Sequence, residues 1–163
     1  MARAFSYYHS NISYYRLEDT VYPSPEVHTK VQDRTDVMLV QFLLAKYYAW
    51  PLAKYRSEFM RLHTLAIQRG KRWDDGIYGD RTQQAVRLFE DEAYEKMKDG
   101  IFYPGDVDFV QEDVDYNNSL LKIDKLNWVF DRMMNSDMEA KNRIVRLTAN
   151  PVLAERIIIH RAG

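Results

Sequence analysis

The residue types in this 163-residue chain that are capable of chemistry are four histidines, several acidic runs and one basic cluster beside a tryptophan. His9, His28, His63 and His160 stand at no close zinc-ligand spacing, and no His-Glu-x-x-His occurs. His63 lies beside an apolar helical stripe, where a partly buried structural histidine is expected. Glu90-Asp91-Glu92 supplies carboxylates of the kind glycosidases use, but catalytic pairs are brought together by the fold, not by adjacency. Such a run within a helix is expected mostly to face solvent. There is no Gly-x-Ser-x-Gly elbow and no phosphate-cradling glycine loop. The chain has no cysteine, which removes disulfides, thiolate zinc sites and thiol catalysis together. No catalytic residue, metal or cofactor is expected, and the chain reads as a non-enzyme.

Binding chemistry is more plausible. Arg69, Lys71, Arg72 and Trp73 form the densest basic group, and basic plus aromatic side chains suit nucleic acid. Against this, Asp74-Asp75 follows at once and the formal net charge is −1, so no nucleic-acid partner is expected. No apolar run approaches the ~20 residues that span a bilayer, so no membrane is expected either. The acidic loop 99–118, with Asp106, Asp108, Glu112, Asp113 and Asp115, lacks the glycine and terminal glutamate of a helix–loop–helix calcium site and reads as solvated. The best recognition surface is Trp73, Asp75, Tyr78 and Arg81, where aromatics stand beside hydrogen-bonding groups. The competing reading has Tyr78 plugging the turn against a neighbouring helix.

The elements that must position these residues centre on Trp73–Phe89. Gly76 and Gly79 stand where a sharp reversal favours positive φ. Asp80 suits an N-cap, with Gln83 three residues on as in a capping box. Thr82, Ala85, Val86 and Phe89 share one helical face, which continues through Ala93 to Met97, with Gly100 ending the helix. Upstream, Asp33 and Asp36 start a helix with Val37, Val40, Leu44 and Tyr47 on one face. Between the two, a helix is expected over 51–69, with Pro51 in its first turn and Gly70 just past its end. Its stripe is Leu52, Tyr55, Phe59, Leu62 and Ala66, opposite Lys54, Arg61 and Arg69.

Two segments carry a family resemblance. Asp75-Gly76-Ile77-Tyr78-Gly79-Asp80-Arg81-Thr82-Gln83-Gln84-Ala85-Val86-Arg87-Leu88-Phe89 resembles the D-G-aliphatic-aromatic-G-x-x-T-x-x-A-V-x-x-F-Q signature of the peptidoglycan-binding domain family, with Glu90 in place of the final Gln. Asp36-Val37-Met38-Leu39-Val40-Gln41-Phe42-Leu43-Leu44 is similar to the family's D-V-x-x-L-Q-x-x-L helix, with Val40 for Leu. The resemblance implies a three-helix module over 33–98, enlarged by the inserted helix 51–69, and a mainly structural role for Gln41, Gly76, Gly79, Thr82, Ala85, Val86 and Phe89. It covers roughly 33–90 and leaves the flanks unexplained.

The flanks complete the expected architecture. Residues 1–32 carry Pro23, Pro25 and, among 12 tyrosines in the chain, Tyr7, Tyr8, Tyr14, Tyr15 and Tyr22. They read as an extended arm that covers its own body or grips a neighbour. Residues 119–163 read as helical: 120–134 with Ile123, Leu126 or Asn127, Phe130 and Met134 buried, then a helix capped by Asp137. A last helix follows Asn150-Pro151 through Leu153, Ile157 and His160, although Ile157–Ile159 also suits a strand. The fold class expected is all-α. The N-terminal residues carry no continuous apolar h-region, so synthesis in a cytoplasm without a secretory signal is expected. The expected function is a structural adaptor of a bacteriophage particle or tail-like machine, located in the virion and docking other subunits. The alternative is genuine peptidoglycan binding, alone or as the wall-targeting part of a lytic system.

Overall fold

The computed structural model describes residues 3–6, 13–16, 33–49, 51, 53–97, 126, 150–156 and 158–161. Its body is helical. Helix α1 is Arg34–Ala49, α2 is Arg56–Gln68, α3 is Asp80–Met97 and α4 is Pro151–Arg156. The acidic loop 99–118, the helix expected after Asp137 and most of that over 120–134 lie outside the described residues. Within the latter, Leu126 is helical and 1% exposed, so it reaches the core as expected.

Asp33 caps α1: its Oδ1 accepts from the backbone N–H of Thr35 at 2.8 Å and of Asp36 at 3.2 Å. Burial works against its charge, but these bonds and one from the Thr35 hydroxyl prevail and hold the carboxyl below its ordinary pKa. The sequence suggests one buried face for this helix, yet every residue from Thr35 to Leu44 is buried, as are Tyr47 and Tyr48. Helices α2, α3 and α4 all contact α1, so it is the central rod, and a helix apolar nearly all round belongs there.

Helix α2 begins later than expected, at Arg56, with exposed Pro51 in a turn before it. The lead-in is tied down by Glu92, whose Oε1 accepts from the Lys54 backbone N–H at 2.6 Å. Glu92 is therefore fully buried instead of facing solvent like its neighbour Asp91. Its carboxylate also meets the hydroxyl of Tyr47. Burial first, and then this carboxylate, push the hydroxyl pKa values of Tyr47 and Tyr48 well above the ordinary tyrosine range. At the other end Gly70 takes φ +68°, with Lys71 N–H donating to Ala66 O at 3.1 Å and Gly70 N–H to Ile67 O at 2.9 Å. That is a Schellman close, and it satisfies two terminal carbonyls.

The core between these helices is aromatic. Tyr48 stacks on Phe59 at 4.6 Å, Phe59 meets Trp73 edge-on at 5.0 Å, and Tyr47 meets both Tyr48 and Phe89 edge-on at 5.0 Å. Such pairs add about 0.5–1.5 kcal/mol each beyond their buried area.

The chain ends add three short strands to the helical body. Strands β1 (Arg3–Ser6), β2 (Ser13–Arg16) and β3 (Ile158–Arg161) form one sheet in the order β2-β1-β3. Strand β1 runs antiparallel to β2 and parallel to β3, with Phe5 opposite both Tyr14 and His160. The helix expected through Ile157 and His160 thus stops at Arg156. Consecutive isoleucines are stiff at χ1 and suit extended backbone better than a short helix. Tyr14 and Tyr15 lie on β2; Tyr7, Tyr8 and Tyr22 lie outside the described residues.

Replacing Phe59 by Ala empties the centre of the aromatic row. The expected cost in urea unfolding is about 3–5 kcal/mol, the range for large-to-small changes at a fully enclosed aromatic.

Candidate functional site

The region singled out by the sequence is the turn from Trp73 to Gly79, and its geometry follows from one side chain of α1. Gln41 is 1% exposed. Its Nε2 donates toward Asp75 Oδ1 at 3.0 Å, Thr82 Oγ1 at 3.0 Å and the Ile77 carbonyl at 3.2 Å, and its Oε1 accepts from Gly76 N–H at 2.9 Å. The partners fix the amide's orientation: turned over, its oxygen would face the Asp75 carboxylate and its NH2 the Gly76 N–H. The Gln41 backbone carbonyl also accepts from Trp73 Nε1 at 2.8 Å.

The remaining turn groups are met from other elements. Arg34 Nε donates to Asp75 O at 3.1 Å, and Asn150 Nδ2 donates to Asp74 O at 2.8 Å. Asp75 Oδ1 accepts from Ile77 N–H at 2.9 Å, which closes the turn on itself. Asn150 also caps α4, its Oδ1 accepting from Val152 and Leu153 N–H at 3.1 and 3.2 Å. The Asn-Pro pair therefore starts α4 as expected and anchors it to the turn as well.

Gly76 takes φ +76°, and a Cβ there would meet Arg34 Cγ and, at 2.8 Å, the Arg34 carbonyl. Gly79 differs from expectation: its φ is not positive, and a Cβ there meets nothing within 4 Å. It occupies the N-cap position of α3, its carbonyl accepting from Gln83 N–H at 3.0 Å. Asp80 is thereby the first helical residue and not the cap, and the glycine at the cap has no side chain with which to form the expected capping box. An acid there still complements the helix dipole.

The four proposed recognition residues separate into two groups. Trp73 and Tyr78 are 7% and 8% exposed and belong to the core, and Asp75 is held by Gln41 and the turn. Arg81 faces an open cleft of about 450 Å³. That cleft lies between the end of α2 (Leu62, Leu65), the connector Arg69–Trp73 and the start of α3. A second groove of about 500 Å³ lies on the other side of Ile77, toward Arg34 and Val152. Thr82, Ala85, Val86 and Phe89 are all buried on the inner face of α3. Nothing in the residue pattern marks Arg34 or Asn150 as clamps on the turn, because their partners are backbone carbonyls far along the chain.

His63 sits 6.0 Å from the rings of both Phe59 and Trp73 and is partly buried. Among the described residues no group of three or more His, Asp or Glu side chains can hold a metal ion, and no helix is long and apolar enough to cross a membrane.

Two measurements follow from this geometry. Gln41→Leu orphans the Gly76 N–H and leaves the buried Thr82 hydroxyl with only its long donation to the Ile77 carbonyl at 3.4 Å. It is expected to cost about 3 kcal/mol or more, at about 1–3 kcal/mol per unsatisfied buried group. Gly76→Ala adds about 1–2 kcal/mol of left-handed strain to the displacement of Arg34, so both variants are expected to lower the urea midpoint clearly while Gly79→Ala does not. The second concerns pH. Burial lowers the His63 pKa below the ordinary 6.5 and outweighs the opposing charge of Asp74. The unfolded chain therefore binds this proton more readily than the folded one. The stability held by neutral His63 is complete above about pH 6.5 and is lost as pH falls through the lower folded value. Unfolding at pH 7.5 and 5.5 should show this loss, and His63→Gln should reduce it.

Compared with protein-family models, with curated proteins and with solved structures, the chain matches none.

Proposed function

We propose that this chain is a non-catalytic structural adaptor of a bacteriophage particle or tail-like machine, in which a peptidoglycan-binding-like helical module serves as a docking scaffold for other subunits. The observation that carries this reading is the internal use of the motif. Its aromatic and carboxylate groups, which would otherwise meet a ligand, are taken up by Gln41 and the core. A wall-binding surface needs such groups presented outward. The scaffold reading is also supported by the terminal sheet, whose outer strands β2 and β3 each have one paired neighbour among the described residues. Open strand edges are natural points of attachment for another chain. On this reading the protein acts in the virion, without cofactor, nucleic acid or membrane. Genuine peptidoglycan binding is the second reading, and the open cleft beside Arg81 is what favours it.

Sedimentation with insoluble peptidoglycan separates the two. The scaffold reading predicts that the purified protein stays in the supernatant. Saturable pelleting that is lost in Arg81→Ala would establish wall binding instead.

A further inference from the structure

We infer that the cleft between the C-terminal end of α2 and the N-terminal end of α3 docks an acidic protein segment that carries apolar side chains. This deepens the scaffold reading and rests on it. Among the described residues, Arg72 is paired with Asp74 at 3.0 Å, whereas Arg69, Lys71 and Arg81 make no ion pair. All four cations line the cleft. The acids that line it are Asp75 and Asp80. Asp75 is engaged by the Gln41 amide and the Ile77 N–H, and Asp80 lies in the first turn of α3, where the helix dipole offsets its charge. The cations exceed the acids, and among the described residues three of them have no ion-pair partner.

The same walls carry exposed apolar side chains. Ile77 is 65% exposed and Leu65 45% exposed, one on each side of the cleft. Large apolar side chains standing open beside unpaired cations match a partner with both kinds of group. Nucleic acid fits less well. Binding of single strands uses stackable aromatic faces, and the one aromatic lining the cleft among the described residues, Trp73, is 7% exposed with its N–H already donated to Gln41. A small anion would use the cations but leave Leu65 and Ile77 uncovered.

The test uses the full chain and fluorescence anisotropy of a labelled acidic peptide in which Asp and Glu alternate with Leu and Phe. Saturable binding is expected, weakening with added salt. It should fall about tenfold or more in Arg69→Glu/Arg81→Glu and in Ile77→Asp. Arg87→Glu, an exposed position of α3 outside the cleft, should bind as the parent does. Far-UV circular dichroism confirms that each variant is folded, and Lys71→Glu replaces either charge reversal that is not. No binding, or binding that is unchanged in the charge-reversed protein, overturns the proposal. So does an oligothymidylate that binds more tightly than the peptide, which would make the cleft a nucleic-acid site. If peptide binding fails while the protein still stays out of peptidoglycan pellets, the cleft assignment falls and the scaffold reading does not.

Discussion

The side-chain amide of Gln41 is the constraint on which the described body depends. A primary amide at 1% exposure has no water to fall back on, so its hydrogen-bonding groups need protein partners. It finds them in Asp75, Gly76, Ile77 and Thr82, which lie 34 to 41 positions further along the chain. The turn cannot move without orphaning the amide, and α1 cannot rotate without orphaning the turn. Gly76 is the counterpart of that constraint: the backbone approaches Arg34 so closely that only a residue without Cβ fits.

This arrangement explains how the long excursion through α2 is accommodated. The residues between α1 and the turn form a closed sub-structure, held by Glu92 at its entrance and by the Gly70 close at its exit. Phe59 inserts between Tyr48 and Trp73 and makes α2 part of the core, not an appendage. Each attachment point lies on α1, on α3 or next to the motif turn. Asn150 then draws α4 onto the same turn, so distant parts of the chain converge on Asp74–Ile77.

What was legible in the sequence is what depends on near neighbours. Asp33, Asn150-Pro151 and Gly70 act as helix signals through groups within a few residues, and the face Thr82–Phe89 follows from helical spacing alone. Glu92 shows the opposite. Its place in an acidic run suggests solvent, and only the arrival of Lys54 and Tyr47 from other elements makes burial affordable. Gly79 departs from expectation because a glycine beside a turn suggests positive φ, while the N-cap needs only its carbonyl. The pairing of β1 with β3 joins opposite ends of the chain, and four-residue strands are too short to show alternation. The motif tells more about folding than about binding for the same reason: Trp73 and Tyr78 look available until the core closes over them.

The Trp73–Gly79 turn is clamped onto the core and is not a flexible recognition loop. Native-state hydrogen exchange at the Gly76 amide tests it most directly, because that N–H has the Gln41 side chain as its acceptor and no helix or strand to protect it. Protection approaching that of the α1 amides is expected, with exchange only through global unfolding. Fast exchange at Gly76 while α1 remains protected would contradict it.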